Sequence, residues 1–508
     1  MTTGKRQIAR AAGVVMVAFV ASRALGLVRE MIISRYFGTS AEYDAYLAAF
    51  RLPDILFQLV AGGALGSAFI PMFTGYLARN DEEEAWRLAS AVTNLVLLIL
   101  TSLAVVAAVL APQVVALIAP GFPPPQRELA ADLMRLMLIS PVVFGVSGIV
   151  MGILNSYQHF LLPALAPSMY NLSIIGGAVF LAPRWGVRGL AVGVVTGAGL
   201  HLLIQVPGLL RVGTRYFPLL GLRHPGVHEV VRLMLPRTLG LAIVQINFLV
   251  NTILASQLPA GSLSALNYAF LLMLLPQGIF AQAIATVAFP TFAAQVARDE
   301  VVEMRSTLSA TLRAILYLTI PASMGLYILR GPVIQLLFQR GAFQASSTSA
   351  VAWALQFYVL GLVAHSVVEI VTRAFYAMHD TRTPVLIGGA AMALNVLLSL
   401  LLIRPLAHGG LALANSIATT LEMMGLLFIL RGRLGGLEGR RIAASLARIG
   451  ASTAVMGLAV WGLGRVLGDA LPLMEGVSGI VLGSGVYLGL TLLLRAEEVD
   501  IVRQVWRR

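Results

Sequence analysis

Apolar runs of about twenty residues, long enough to cross a hydrocarbon core as a helix, recur along this chain from end to end. About fourteen can be placed, near 8–34, 44–74, 85–118, 127–155, 163–182, 187–210, 228–256, 262–292, 307–329, 346–377, 383–403, 408–431, 442–466 and 474–495. Only 12% of the 508 residues are charged, against about a quarter in a soluble domain. The pattern predicts an all-α polytopic membrane protein with ~14 transmembrane helices. The first run is too long for the core of a signal peptide, and no small-residue cleavage site follows it, so it is expected to remain as a helix.

Charge inside these runs is the next constraint. The stretch Ser22–Pro71 is apolar enough for a bilayer, yet it holds Arg23, Arg29, Glu30, Arg35, Asp44, Arg51 and Asp54. A charge at membrane depth costs about 2.5–3.5 kcal/mol on insertion scales, so such residues usually face a protein interior or a wet cavity. Gly26, Pro53, Gly62, Gly63 and Gly66 interrupt the same stretch, and broken helix at that depth needs neighbours or water to satisfy its backbone. The stretch therefore reads as the cationic wall of a polar cavity.

The net charge of +13 comes almost wholly from arginine, Lys5 being the one lysine. Most arginines lie between the apolar runs. They gather at the N-terminus and in alternate loops, such as Arg79 with Arg87, Arg298 with Arg305, and Arg431, Arg433, Arg440 and Arg441. That distribution fits the positive-inside rule with both termini cytoplasmic, and it does not call for nucleic acid as a partner. Without cysteine, disulfides and thiolate metal sites are excluded. The seven histidines are scattered; His224 and His228, four apart in an Arg-rich loop, read as solvated rather than as metal ligands. No Walker A sequence, dinucleotide fingerprint, nucleophile elbow or metal motif is present, so neither a cofactor nor enzymatic chemistry is expected.

The chain also repeats itself. LARNDEE at 77–83 matches VARDEVV at 296–302, and NSYQHFLLP at 155–163 resembles YAMHDTRTP at 376–384. AFIP at 68–71 resembles AFP at 288–290, and SRALGL at 22–27 matches PRTLGL at 236–241. Six runs per copy is an even number, so both copies enter the membrane in one sense, as in transporters built of parallel repeats. The expected organisation is an N-lobe at 1–220, a C-lobe at 221–435, and a pair of extra helices with a tail at 436–508. A substrate site between two pseudo-symmetric six-helix lobes follows from that plan.

Candidate site residues come from the charged stretch and its repeat. Arg23 and Arg29 stand about 9 Å apart along one helix and about 120° apart around it, sharing a broad face. Asp44 and Arg51 lie on one stripe of the next helix. Guanidinium groups stay charged and present a planar fork suited to phosphate oxygens, so two or three around a cavity suit a diphosphate. The competing reading is structural: Arg23 or Arg29 clamped to Glu30, Asp44 or Asp54. Asp44 fits either a gating ion pair or a carboxylate favoured by the helix dipole. Arg237, the repeat mate of Arg23, either faces the same cavity or snorkels. Glu369 and Arg373, four apart, are expected to pair. Gly62, Gly63, Gly66 and Pro53 mark a hinge or a close helix contact.

Taken together, SRALGLVREMIISRYFG, DAYLAAFRLPDIL, GGALGSAFIP, GILNSYQHFLLPALAPSMYN and ALNYAFLLMLLPQGIFAQAIATVAFPTF resemble the MurJ/MviN family of lipid II flippases, within the multidrug/oligosaccharidyl-lipid/polysaccharide exporter superfamily. The resemblance implies fourteen helices in two six-helix lobes plus two. It implies movement of an undecaprenyl-diphosphate-linked peptidoglycan precursor from the cytoplasmic to the outer leaflet by alternating access. The family's cavity arginines fall on Arg23 and Arg29, its first-loop aspartate on Asp44, and a basic position of the second span on Arg51. Two departures stand out: Phe57, Gln58 and Gly62 replace charges of the family pattern, and Phe270 and Leu271 replace its Asp-Arg pair, so the eighth span is uncharged. Implied partners are membrane lipids, a coupling ion, and cell-wall synthesis enzymes, in the bacterial cytoplasmic membrane. The alternatives are a cation-coupled drug or solute antiporter and a flippase for another polyprenyl-diphosphate oligosaccharide.

Overall fold

Backbone groups stranded in hydrocarbon must be satisfied locally, and helical hydrogen bonds do this for nearly the whole chain. The computed structural model describes residues 3–60, 64–467 and 472–499, with side chains except at 3–16, 19, 60, 64–67, 236, 237, 239, 240, 242–244, 472 and 473. No β-strand occurs among the described residues. Eleven helices among them are long and apolar enough to cross a membrane. The expected spans at 8–34, 44–74 and 228–256 include residues outside the full description and are not among the eleven.

Packing separates two units, Met1–Ala260 and Gly261–Arg508. The first contains α1 (Thr3–Phe37), α2 (Ala41–Val60), α3 (Ala64–Ala78), α4 (Glu82–Val109), α5 (Ala111–Ile118), α6 (Pro124–Met137), α7 (Ile139–Ser156), α8 (Leu161–Gly176), α9 (Ala182–Trp185), α10 (Val187–Leu203), α11 (Val206–Arg211) and α12 (Pro225–Ser256). The expected span at 44–74 takes in α2, α3 and residues 61–63, which lie outside the described residues. By sequence repeat α12 opens the second copy, yet it packs in the first unit, against α2 and α3.

The second unit contains α13 (Ser262–Pro276), α14 (Gln282–Ala297), α15 (Val301–Ile328), α16 (Arg330–Phe338), α17 (Ala345–Ala377), α18 (Arg382–Leu406), α19 (His408–Arg433), α20 (Gly439–Leu467) and α21 (Pro472–Leu493). Its core is built around α17, whose Ile370 and Phe375 pack among Phe292, Leu308, Ile315 and Leu426. Helices α20 and α21 pack on one another and reach this core through α15 and α16.

The sequence repeat reappears in the backbone. Asn80 and Asp299, equivalent in the first matched pair, both take left-handed conformations, with φ of 61° and 58°. Each ends its helix with the same pair of bonds: Asn80 N to Leu77 O with Asp81 N to Tyr76 O, and Asp299 N to Val296 O with Glu300 N to Gln295 O. This is the Schellman arrangement, which satisfies the last helical carbonyls. Gln158 and His379, equivalent in the second pair, repeat it at φ of 62° and 58°. Beyond His379, the Asp380 carboxylate accepts from the Thr383 hydroxyl and amide and from Arg433, which hold its pKa down at about 2. A lowered folded value means the contribution is present above the ordinary carboxylate range and is lost only as pH falls toward 2, so this cap is constant at neutral pH.

Small residues let helices in the first unit approach closely. A Cβ placed on Gly193 of α10 would lie 3.1 Å from the Ile174 Cα of α8 and 3.1 Å from Ser173 O. We expect Gly193→Leu to cost about 1–3 kcal/mol by overpacking, read as a lowered thermal midpoint of the solubilised protein. Gly199→Leu on the same helix, where nothing lies within 4 Å, is expected to leave that midpoint unchanged. Equal midpoints for the two variants would contradict the packing.

Candidate functional site

In the first unit, α1 places two charged residues in succession against α2 and α8. Arg29 donates from Nη2 and Nε to Glu30 Oε1, at 2.6 and 3.2 Å, and from Nη1 to Asn171 Oδ1 of α8 at 3.0 Å. Asn171 is itself fixed: its Nδ2 donates to Pro167 O at 3.1 Å and to Ser22 O at 3.3 Å, which bridges α8 to α1 and turns the carbonyl toward Arg29. Glu30, only 6% exposed, accepts a further bond from the Tyr43 hydroxyl of α2 at 3.1 Å. The Arg29 side chain remains 25% exposed. A guanidinium held on three nitrogens is pre-oriented, so less side-chain entropy is lost when it meets an oxyanion.

Along α2, Arg51 donates from Nε to Thr252 Oγ1 of α12 at 3.1 Å, and its guanidinium carbon lies 5.4 Å from the centre of the Phe248 ring. One turn of α2 connects Arg51 to Asp54, and Gln58 hydrogen-bonds that carboxylate. Tyr46 and Tyr170 lie within electrostatic reach of Arg29. Four aromatic rings, Phe37, Tyr43, Tyr46 and Phe50, stack successively along the α1–α2 turn and α2, stiffening the helix that carries Arg51.

The predicted residues thus divide. Arg29 with Glu30 and Arg51 with Asp54 are brought onto neighbouring elements. Arg23 is exposed on α1, and Asp44 is buried in the first turn of α2, where the helix dipole favours a carboxylate. Pro53 is buried within α2. Gly62 and Gly63 lie outside the described residues; Gly66 falls in α3 and Arg237 in α12, both without described side-chain surroundings. Between residues 17 and 60 the charges balance: Arg23, Arg29, Arg35 and Arg51 against Glu30, Glu42, Asp44 and Asp54. The wall expected to be cationic is therefore not so in net charge, and any preference for anions rests on where the guanidinium groups are held.

Three participants escape sequence reasoning: Asn171, Tyr43 and Thr252. Asn171 had a signal, being an amide in an otherwise apolar run, but its partner is 142 residues away. His224, read as solvated, instead caps α12 by accepting from Gly226 N at 3.0 Å, with its ring edge-on to Tyr76.

Comparison with known proteins places this arrangement in context. The family model described as "Lipid II flippase MurJ" matches residues 33–475. The lipid II flippase MurJ of Burkholderia cenocepacia is 33% identical over 422 residues, covering 81% of each chain. A solved structure of lipid II flippase MurJ in an inward closed conformation superposes with a TM-score of 0.84 at 26% identity, covering 96% of this chain and 99% of that one. An inward-facing multidrug resistance MATE family transporter superposes with a TM-score of 0.69 at 16% identity, over 82% of this chain and 96% of its own, a likeness of fold alone.

Proposed function

Since the chain belongs to the lipid II flippase MurJ family, we propose that Arg29 and Arg51 are the groups through which it holds the diphosphate of its substrate. The protein is a transporter of the bacterial inner membrane that flips lipid II, the lipid-linked peptidoglycan precursor. What supports the residue assignment is the geometry of Arg29, a charged fork fixed by Glu30 and Asn171 on a side chain that remains 25% exposed. Charge-assisted, bidentate contact is the strong mode of phosphate recognition.

In this reading the diphosphate enters beside Arg29 while the polyprenyl tail stays in lipid. Arg51 adds a second contact, and Arg23 and Arg237 extend the path. Glu30, Asp44 and Asp54 hold the arginines in place when no anion is present. Pro53 with Gly62, Gly63 and Gly66 bends the wall as access alternates between the faces. Both termini lie in the cytoplasm, and the duplicated lobes, 1–220 and 221–435, record the repeat rather than the packing. A cation gradient or the membrane potential drives the cycle, and enzymes of cell-wall synthesis receive the product.

A drug antiporter on this fold needs carboxylates for cationic substrates, and Glu30 is already engaged by Arg29 and Tyr43. The first test uses Arg51. Losing a hydrogen bond to a charged group costs about 1.5–3 kcal/mol, so Arg51→Gln is expected to lower lipid II exposure on the outer face of spheroplasts by about tenfold or more. Thr252→Val keeps the guanidinium but removes its tether, and a smaller loss is expected. Wild-type exposure in Arg51→Gln would remove Arg51 from the site.

A further inference from the structure

In the second unit, the turn joining α19 to α20 borders an open cleft of about 440 Å³, lined by Phe428, Ile429, Arg431, Gly432, Gly435 and Gly436. We propose that this cleft binds the headgroup phosphate of an anionic glycerophospholipid from the surrounding leaflet, a site separate from the Arg29 cluster.

Three observations carry it. The first is the shape. Gly435 and Gly436 take φ of 64° and 134°, conformations that side chains disfavour, and a Cβ added at Gly432 or Gly435 would meet nothing within 4 Å. The turn is therefore a cradle with bare backbone and open space above it.

The second is the charge. Arg305, from the start of α15, reaches the turn, where its Nη1 donates to the carbonyl of the lining residue Gly435 at 3.4 Å. Its Nε is buried behind that contact and has no hydrogen-bond partner among the described residues. Arg431 and Arg440 are exposed at the same turn. The nearby carboxylates are already neutralised: Glu438 by Arg441 at 3.2 Å and Asp380 by Arg433 at 2.7 Å. Arg305, Arg431, Arg433, Arg440 and Arg441, set against Asp380, Glu438 and the Glu497 that Arg441 also reaches electrostatically, leave a positive surplus. Two of the last α19 carbonyls are also occupied, since Leu434 N bonds Leu430 O and Gly436 N bonds Arg431 O.

The third is the position. Helices α19 and α20 both qualify as membrane spans, so the turn lies at the membrane surface. Phe428, 79% exposed, stands one helical turn below Arg431. The cleft thus has an apolar wall at acyl-chain depth and a cationic rim at headgroup depth. A soluble phosphate needs only the rim; a phospholipid matches both. Basic pockets between spanning helices recognise lipid headgroups in this way.

The full chain is placed in nanodiscs of zwitterionic lipid containing a minor fraction of phosphatidylglycerol, and lipid retained after detergent exchange is counted by native mass spectrometry. The wild type is expected to retain phosphatidylglycerol over phosphatidylcholine. Arg305→Gln with Arg431→Gln is expected to lower that retention by about thirtyfold, at about 1 kcal/mol per arginine near the surface, while Arg305→Lys with Arg431→Lys keeps most of it. Phe428→Ala should weaken lipid retention, and inorganic phosphate should not compete at millimolar levels. Equal retention in the wild type and a doubly neutralised variant with an unchanged thermal midpoint would overturn the site. So would full competition by inorganic phosphate. Should the neutralised pair unfold, the lysine pair alone decides: loss of all selectivity there counts against the site, because charge is kept.

Discussion

Replacing Arg29 with alanine and Glu30 with glutamine together is expected to give a protein that folds, inserts and does not flip lipid II at a useful rate. The double change matters because the single one is ambiguous. Glu30 is 6% exposed and its charge is balanced by Arg29 at 2.6 Å. Removing one partner of a buried pair strands the other, at about 3–5 kcal/mol. Arg29→Ala alone is therefore expected to lower both abundance and transport. Glutamine at position 30 removes the stranded charge while keeping an acceptor for the Tyr43 hydroxyl. The remaining defect then belongs to the missing guanidinium. With two charge-assisted bonds to phosphate lost, each about 1.5–3 kcal/mol, the expected drop in lipid II exposure is about a hundredfold or more. A strain depleted of its own flippase should not grow on the double variant at normal membrane abundance. Arg29→Lys keeps the charge but loses the fork that meets Glu30 and Asn171 together, so only partial rescue is expected. Normal growth on the double variant would sink the diphosphate assignment while leaving the family membership untouched.

Much of this architecture was legible before any coordinates. The membrane class follows from run length, which depends only on local composition. The duplication follows from short matched strings, and the helix ends at Asn80 and Asp299, or Gln158 and His379, show why those strings matched: each encodes a left-handed stop. The Glu369–Arg373 pair, predicted from a spacing of four, closes at 2.7 Å. The site was only half legible. Arg29 and Glu30 are adjacent in sequence, and their pairing is local. Asn171 and Thr252 meet Arg29 and Arg51 only because α8 packs on α1 and α12 packs on α2, and no periodicity specifies which apolar helices touch. The same limit explains α12. Repeat arithmetic assigned it to the second copy, whereas its packing depends on partners such as Leu59, whose carbonyl accepts from the Thr238 hydroxyl at 3.3 Å. Net charge misled for a related reason. A surplus of arginine over the whole chain says nothing about balance along one wall, where four arginines are matched in number by four carboxylates.

The largest loss of stability is expected from Arg313→Met. Arg313 lies in α15, is 6% exposed, and donates from Nη1 to Glu497 at 2.8 Å and to Glu498 at 3.2 Å, both just past the end of α21. Glu498 is fully buried. The same seam continues through the Tyr487 hydroxyl, which donates to Tyr317 O at 2.7 Å, and the Tyr317–Thr491 hydroxyl contact at 3.0 Å. These bonds fasten the chain after α21 onto α15, and with it the pair α20 and α21. Methionine fills the space but leaves the Glu498 carboxylate buried without its cation, so about 3–5 kcal/mol should be lost. The readouts are a lower thermal midpoint and early proteolysis after α21. Glu498→Leu combined with Arg313→Met removes both members, and an apolar replacement of a buried pair is often neutral or better. That double variant is expected to recover most of the midpoint. Arg313 also holds the Glu497 carboxyl below its ordinary range, by hydrogen bond and charge, so this contribution is present at neutral pH and fades as acid protonates it. If Arg313→Met melts with the wild type, the buried bridge does not hold the last two helices, and apolar packing of α20 and α21 on α15 and α16 must suffice.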